Sequence, residues 1–152
     1  MKSSGRLQVF NEGFFGTLRG MKDFDTWNQI KKLLDEKKKA PFIKARDIWF
    51  LKVGKNIGHE QDGTGEEFLR PVVVIKKFNE RLFWGIPLTS RDKPPSNLYY
   101  FPVGVINTKL NWAILSQGRT FDSKRLKHKL GVLPKDKFQY LIKATIKILF
   151  DI

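Results

Sequence analysis

The chain has 152 residues, of which 41% are hydrophobic, and this length suits a single domain with its own core. It has no cysteine and two histidines, so disulfides and thiolate zinc sites are excluded and a multi-histidine metal site is disfavoured. Lys and Arg total 29 against 15 Asp and Glu, which gives a net charge of +14. This charge suits a polyanionic partner, with nucleic acid first and an acidic membrane or acidic protein second. The plain alternative is a lysine-rich solvated surface.

The sequence shows no sign of membrane insertion or export. No apolar run approaches the ~20 residues that a membrane helix needs, and the N-terminal residues contain no apolar signal core. We therefore expect a cytoplasmic protein.

The first forty residues divide into two parts. Residues 1–20 carry glycines and serines without a clear period, and we expect a poorly ordered extension, with Met21 as the natural start. Residues 21–40 are predicted to form an N-terminal helix and linker, ahead of a domain that spans residues 41–152.

A helix is predicted from Thr26 to Lys38. Thr26 and Gln29 have the spacing of a capping box, and an apolar stripe at helical spacing is formed by Trp27, Ile30 and Leu34. The stripe either packs on the helix's own domain or contacts a partner. The first is favoured, because most short amphipathic helices bury their stripe on their own domain.

Most of the remaining chain has the pattern of short strands. A first strand is predicted at Asp47–Val53, with either of its faces toward the core. Later strands are predicted at Arg70–Phe78, Arg81–Leu88, Leu98–Val103, Asn111–Leu115 and Gly131–Leu133, with a hairpin turn at Asn79. A helical turn is predicted at Ser123–Lys129 and a C-terminal helix at Pro134–Phe150. Many short strands and one terminal helix indicate a small twisted sheet that curls into a barrel.

Arg70 stands between a glycine-rich loop, Gly54–Glu67, and a buried apolar run, Val72–Ile75. Pro71 cannot donate a ladder hydrogen bond, which predicts that it is the first residue of its strand. Arg70 is therefore predicted at the mouth of the sheet, where a rigid strand aims it while its head stays in solvent.

The loop itself does not predict a cofactor or a metal. Gly63 and Gly65 lack the third glycine of a dinucleotide fingerprint. The adjacent Glu66 and Glu67 are more typical of solvated charges than of a metal site. The same two glutamates are the alternative explanation for Arg70, which could pair with either of them in an ordinary ion pair.

The polar residues near Arg70 have the chemistry for metal-free RNA cleavage. There the 2′-hydroxyl attacks the adjacent phosphorus, and the enzyme accepts its proton, stabilises the phosphoryl charge and protonates the departing 5′-oxygen. Arg70 suits the phosphate because of its planar fork, Thr89 offers a hydroxyl donor, and His59 and Glu60 could transfer protons. The plainer alternatives are that Thr89 caps a turn and that His59 and Glu60 are solvated loop residues.

Five short pieces, in this order and spacing, resemble the MazF/PemK toxins, the ribonuclease halves of bacterial toxin–antitoxin pairs. The pieces are Arg46–Trp49, Gly58–Gln61, Arg70–Ile75, Ile86–Ser90 and Gln117–Thr120. The resemblance covers roughly residues 44 to 151. It implies a mainly β fold, an SH3-like small barrel of the PemK/CcdB type with a C-terminal helix, here with an added N-terminal helix, assembled as a homodimer. Aromatic and aliphatic residues in Asp47–Val53 and Leu98–Val103 suggest a surface for that dimer.

The resemblance also implies an activity and partners. The activity is metal-independent, sequence-selective cleavage of single-stranded RNA by a type II toxin. Arg70 and Thr89 match the arginine and threonine that act in catalysis in the family, and His59 and Glu60 match its loop motif. RNA contacts are expected from Gln61, Ser90, Arg91 and Arg119. The expected partners are an acidic antitoxin and, through the antitoxin complex, operator DNA; no cofactor and no membrane is expected.

The alternative is a toxin or binding module on the same barrel that cleaves nothing, like the CcdB toxins that bind DNA gyrase. One departure bears on this choice. A branch of the family carries an arginine and an aspartate as acid and base where this chain has Ile114 and Ser116. The loop between Gln61 and Arg70 is also longer than the family leads us to expect, which affects substrate geometry.

Overall fold

The computed structural model of the protein describes residues 21–152, so the extension predicted for residues 1–20 lies outside the described part. The helices in that part are α1 (Phe24–Asp35) and α2 (Lys135–Phe150). The strands are β1 (Asp47–Lys52), β2 (Leu69–Lys77), β3 (Leu82–Thr89), β4 (Tyr100–Ile106), β5 (Lys109–Ile114), β6 (Arg119–Asp122) and β7 (Leu126–Val132). Short 3-10 turns lie at Leu115–Gln117 and Ser123–Arg125. Neither helix is long and apolar enough to cross a membrane.

The strands form one curled antiparallel sheet. Its order is β4-β5-β3-β2-β1-β7, and β6 pairs with β3 beside that path. The curl comes largely from β3, which pairs with β2 along most of its length and changes its other partner, from β6 in its first half to β5 at its last residues, Leu88 and Thr89. The prediction of a mainly β, barrel-like fold with a helix at each end is confirmed.

The apolar run in β2 is buried on both sides of the sheet. Val72 and Val74 join one core cluster, and Val73 joins a second cluster that also contains Leu141 of α2. Successive side chains of a strand point to opposite faces, so a continuous run supplies both clusters. Each such side chain contributes about 1.5–3 kcal/mol when fully buried. Both faces of β1 are buried in the same way, with Ile48 on one side and Leu51 on the other.

Helix α1 starts two residues earlier than predicted and without the capping box. Asp23 is the N-cap, and its carboxylate accepts the backbone N–H of Thr26 at 3.0 Å. Asp23 can do this because the capping carboxylate needs only the free N–H groups of the first turn. The predicted stripe is buried on the protein's own domain, where Trp27 and Leu34 pack with Phe68.

The strands that follow β3, from β4 to β7, are more regular than the sequence predicted. β4 and β5 are joined by a two-residue turn at Asn107 and Thr108, both with positive φ. The predicted helical turn at Ser123–Lys129 is confined to Ser123–Arg125, and β7 takes up the rest. The strand predicted at Gly131–Leu133 is the end of β7; register shifts in the pairing of β7 with β1 break the period-2 pattern of its earlier residues, so the sequence predicts only that end.

The surface predicted for the homodimer is partly wrong. β1 is almost entirely buried, so it offers little apolar area to a partner. Exposed apolar side chains lie in the second predicted segment, at Leu98 and Tyr99, and also at the β4–β5 turn and on α2, where Leu149 is 45% exposed. Ile148 of the same helix packs against the core.

Candidate functional site

A cavity of about 590 Å³ opens where β2 begins and β3 ends, and we call it the Arg70 cavity. Arg70 and Thr89 lie in its wall together with three further cationic side chains, Arg91, Lys93 and Lys109. Among the described residues that line it there is no Asp or Glu. The cavity therefore presents concentrated positive charge, which favours an anionic ligand.

Arg70 is half-buried rather than solvent-facing as predicted, and Pro71 is the third residue of β2 rather than the first. The strand starts early because Leu69 bonds back to Thr64 across the loop. The Nε of Arg70 donates to the carbonyl of Asp62 at 2.7 Å, and Nη1 donates to the carbonyl of Leu88 at 3.1 Å. These two bonds hold the guanidinium while its remaining N–H groups stay available to a ligand.

The positive charge of Arg70 is electrostatically disfavoured at its half-buried position. Burial, and then the nearby charge of Arg91, lower the pKa of Arg70 from its ordinary value, while Asp62 opposes the shift. Arginine nevertheless stays protonated in proteins. An anion in the cavity would offset both the lost hydration and the repulsion from Arg91.

Thr89 is buried at the end of β3, where it pairs with Trp112. Its Oγ1 accepts the backbone N–H of Arg91 at 3.2 Å, so the turn-capping alternative describes a real contact. Capping uses a lone pair of the hydroxyl and leaves its proton free to donate. Arg70 donates to the carbonyl of Leu88, the residue before Thr89. This bond holds the Arg70 side chain at the end of β3 that carries Thr89.

The ion pair considered for Arg70 does not form. Glu67 pairs with Lys127 and, at 3.6 Å, with Lys52. The hydrogen bond from Lys127 lowers the pKa of Glu67 from its ordinary value. Among the described residues, none of the cations in the Arg70 cavity takes part in an ion pair.

The loop motif of His59, Glu60 and Gln61 forms a tight turn. Gln117 holds it: its Nε2 donates to the carbonyl of His59 at 3.0 Å, and its Oε1 accepts the backbone N–H of Gln61 at 3.0 Å. The Glu60 carboxylate accepts the backbone N–H of Ile57 at 2.9 Å, and His59 is exposed. Glu60 is thus engaged in the turn and is at the same time exposed to solvent.

The predicted site residues fall into two neighbouring clefts. Ser90 and Arg91 line the Arg70 cavity with Gln61. Gln61 also lines a second cavity of about 430 Å³, the Arg119 cleft, together with Glu60 and Arg119. Gln61 therefore stands between them, and His59 lines neither.

Several residues at the site were not singled out from the sequence. Lys93 and Lys109 add charge to the Arg70 cavity, and Asn111 secures its rim by donating to the carbonyls of Ile106 and Lys109 at 3.3 and 2.9 Å. The turn residues Asn107 and Thr108 are the signal that could have indicated this hairpin. Ile114, one of the two departures from the family pattern, lines the same cavity.

Fold and cavity together define a small, strongly basic β-barrel domain with a cationic cleft. The family model that matches residues 44–150 is that of the PemK-like, MazF-like toxin of type II toxin-antitoxin systems, and the chain belongs to this family. The resemblance seen in the sequence is confirmed. A search of curated proteins finds no match.

Solved structures of similar fold agree with this assignment. MazF from Deinococcus radiodurans matches with a TM-score of 0.57 and 21% identity, over 74% of this chain and 98% of that one. The Mycobacterium tuberculosis toxin MazF-mt6 matches at 0.53 and 17%, over 70% and 98%. An endoribonuclease in complex with its cognate antitoxin from Mycobacterial species matches at 0.50 and 11%, over 72% and 95%. At these identities the likeness shows the fold.

Proposed function

We propose that the protein is a metal-independent, sequence-selective endoribonuclease toxin that cleaves single-stranded RNA. The observation that carries the proposal is the meeting of Arg70 and Thr89 in a cavity whose described walls hold cations and no carboxylate. Support comes from membership of the MazF/PemK family and from a structural neighbour that is described as an endoribonuclease. Within residues 21–152 no group of three His, Asp or Glu is placed to hold a metal ion.

In this mechanism the 2′-oxygen of RNA forms a bond to the adjacent phosphorus while the bond to the 5′-oxygen breaks. The products are a 2′,3′-cyclic phosphate and a 5′-hydroxyl end. Arg70 would stabilise the charge that develops on the phosphoryl oxygens through the N–H groups that its two carbonyl acceptors leave open. Thr89 would donate its hydroxyl proton to one of these oxygens, with its orientation set by the N–H of Arg91.

Proton transfer is assigned to the loop motif. The imidazole of His59 can accept or donate a proton, and its exposed ring lies on the turn that Gln117 holds beside Gln61. Glu60 would first have to leave the N–H of Ile57 to act as a base. We therefore propose His59 as the principal proton-transfer group and Glu60 as its support.

RNA binding would use both clefts. A single strand that crosses Gln61 would meet Ser90 and Arg91 on one side and Arg119 on the other. The guanidinium of Arg119 lies 4.9 Å from the ring of Phe121 and is exposed, so it can bind a phosphate without rearrangement.

The proposed partners follow from the same charge. An acidic antitoxin segment would place carboxylates where the RNA phosphates bind, and operator DNA would be contacted through that complex. We further propose a homodimer that acts in the cytoplasm, where its RNA substrate is found.

The test is cleavage of a short single-stranded RNA in EDTA under single-turnover conditions. The parent protein should cut the RNA and leave cyclic phosphate ends, and Arg70→Ala should lose about 10²–10³ in rate. Arg81→Ala is the matched control, because Arg81 is exposed on the β2–β3 turn and lies outside both clefts. Equal rates for Arg70→Ala and the parent would refute the site.

A second candidate function is binding without cleavage. The observation that favours it is the lack of any carboxylate or imidazole among the described residues lining the Arg70 cavity, so no ordinary proton acceptor stands beside the reacting groups. The same RNA, labelled with a fluorophore, separates the two functions. Tight binding by anisotropy with no cut over hours would support the binding module.

A further inference from the structure

Lys22, which lies outside the residues matched by the family model, holds the loop beside the Arg70 cavity. Its Nζ donates to the carbonyls of Asn56 and Gly58 at 2.8 and 2.9 Å and forms an ion pair with Asp62 at 2.9 Å. One ammonium group thus collects three acceptors from three points of the loop. Such a group restrains the loop more than a single contact would.

Asp62 connects this ammonium group to Arg70. One carboxylate oxygen pairs with Lys22, the other accepts the backbone N–H of Asn56 at 2.6 Å, and the carbonyl accepts the Nε of Arg70 at 2.7 Å. The Lys22 and Asp62 side chains are 27% and 21% exposed, so water screens their attraction less than at an open surface.

Helix α1 anchors Lys22 through Trp27. The Trp27 ring packs edge-on to Phe68, with the ring centroids 5.7 Å apart. It also lies directly on Gly54, where a Cβ would come within 2.1 Å of the indole. Gly54 has φ +90°, so the glycine serves both the loop's conformation and the close approach of the helix. Helix and loop are therefore packed as one unit.

We propose that residues 22–36 are a built-in clamp for the active-site loop, and that Lys22 and Asp62 are positioning residues that act through Arg70. Without the clamp, the carbonyl of Asp62 would no longer fix the guanidinium, and Arg70 would lose its alignment with the phosphate. The kinetic part of this proposal rests on the proposed ribonuclease function. A change that misplaces a catalytic group can cost up to ~10²-fold in rate.

The competing explanation is that Lys22 simply attracts RNA. The two explanations predict different effects on RNA binding and on the cleavage rate when one charge is removed at a time. Lys22→Met removes a positive charge and Asp62→Asn a negative one, so a purely electrostatic role predicts weaker RNA binding for the first and stronger binding for the second. The clamp predicts that both lower the single-turnover rate at saturating RNA, by about tenfold, with little change in half-saturation.

Three variants complete the experiment. Lys22→Arg should restore most of the rate, because a guanidinium can donate to the same acceptors. The double variant Lys22→Met with Asp62→Asn should be no slower than either single variant, since both break one connection. Lys31→Met on the exposed face of α1 is the control and should match the parent. Opposite effects of the two single variants, or a change in half-saturation alone, would overturn the clamp.

Amide hydrogen exchange without RNA tests the clamp independently of activity. Lys22→Met should speed exchange at Asn56 and Gln61, whose N–H groups are bonded to Asp62 and Gln117. Unchanged exchange would contradict the clamp. If exchange rises while Arg70→Ala cuts RNA like the parent, the clamp stands and the proposed catalytic role of Arg70 fails.

Discussion

Arg70 and Arg125 are two half-buried arginines with nearly the same local description. Each donates to two backbone carbonyls: Arg125 bonds through Nη1 to Lys52 and Val53 at 3.2 and 3.3 Å. Burial is the main cause that lowers the pKa of each, a neighbouring arginine adds to the effect, and an aspartate opposes it. Neither burial nor an altered pKa distinguishes a candidate site from a structural position here.

The difference lies in what surrounds each guanidinium. Arg125 lies 5.6 Å from the Trp27 ring of α1, in a groove whose walls carry two carboxylates, Asp35 and Asp122, beside three lysines. Arg70 faces a cavity with further cations and no carboxylate among its described lining residues. A buried arginine with carboxylates nearby has counter-charges within the protein, whereas one whose charged neighbours in the cavity are all cations gains from an anion. The lack of carboxylates on the cavity walls is therefore the better indicator of a site.

The largest effect that tests this comparison is expected from Arg70→Lys. The substitution keeps the charge and loses the planar fork, so cleavage should fall by about 10² while the melting temperature changes little. Single-turnover rates and a thermal melt on the same preparation measure both. A rate within roughly twofold of the parent would mean that charge alone suffices.

Arg125→Ala should show the opposite pattern, with a clear loss of stability and a small fall in cleavage rate. Losing the bonds to Lys52 and Val53 and the packing on Trp27 should reduce the free energy of unfolding by about 1–3 kcal/mol. The rate per folded molecule at 25 °C should fall by less than about tenfold, because Arg125 lies outside the Arg70 cavity. Urea unfolding and cleavage below the transition are the measurements. A loss of activity as large as that of Arg70→Ala would remove the contrast between the two arginines.

A smaller effect is expected from Thr89→Val, which keeps the shape and removes the hydroxyl. The variant loses both the proposed donor to phosphate and the acceptor for the N–H of Arg91. We expect about a tenfold fall in rate and about 1 kcal/mol in stability. Thr89→Ser, which retains the hydroxyl, is the matched control and should recover most of the rate. Equal defects in both variants would assign the residue to packing.

The smallest effect is expected from His59→Ala, because His59 is exposed and lines neither cleft. The rate should fall by less than about tenfold, below the ~10²–10⁴ of a fully engaged general acid or base, and the shape of the pH–rate profile should change. Cleavage measured between pH 5 and pH 9 in parent and variant checks this. A modest loss with an unchanged profile would limit His59 to RNA binding.

The sequence by itself determined the barrel, its terminal helices and the family. The run Val72–Val74 specified a strand buried on both faces, and the order of the short motifs specified the MazF/PemK assignment. These features are local, because they depend on which residues follow one another along the chain. An alternating pattern or an apolar run is therefore enough to predict them. Arg70 and Thr89 could be singled out as candidates for the same reason, since each lies within a motif on a strand.

Only the tertiary structure decided what surrounds those residues. Gln117 holds His59 and Gln61 from nearly sixty residues away in sequence, and Lys22 reaches Asp62 across forty. Such contacts depend on how the curled sheet brings distant segments together, so no periodic pattern in the sequence predicts them. The same holds for the two arginines: both are basic residues in the sequence, and only packing placed Arg125 near two carboxylates and an indole and left Arg70 facing a cavity whose charged lining side chains are all cationic.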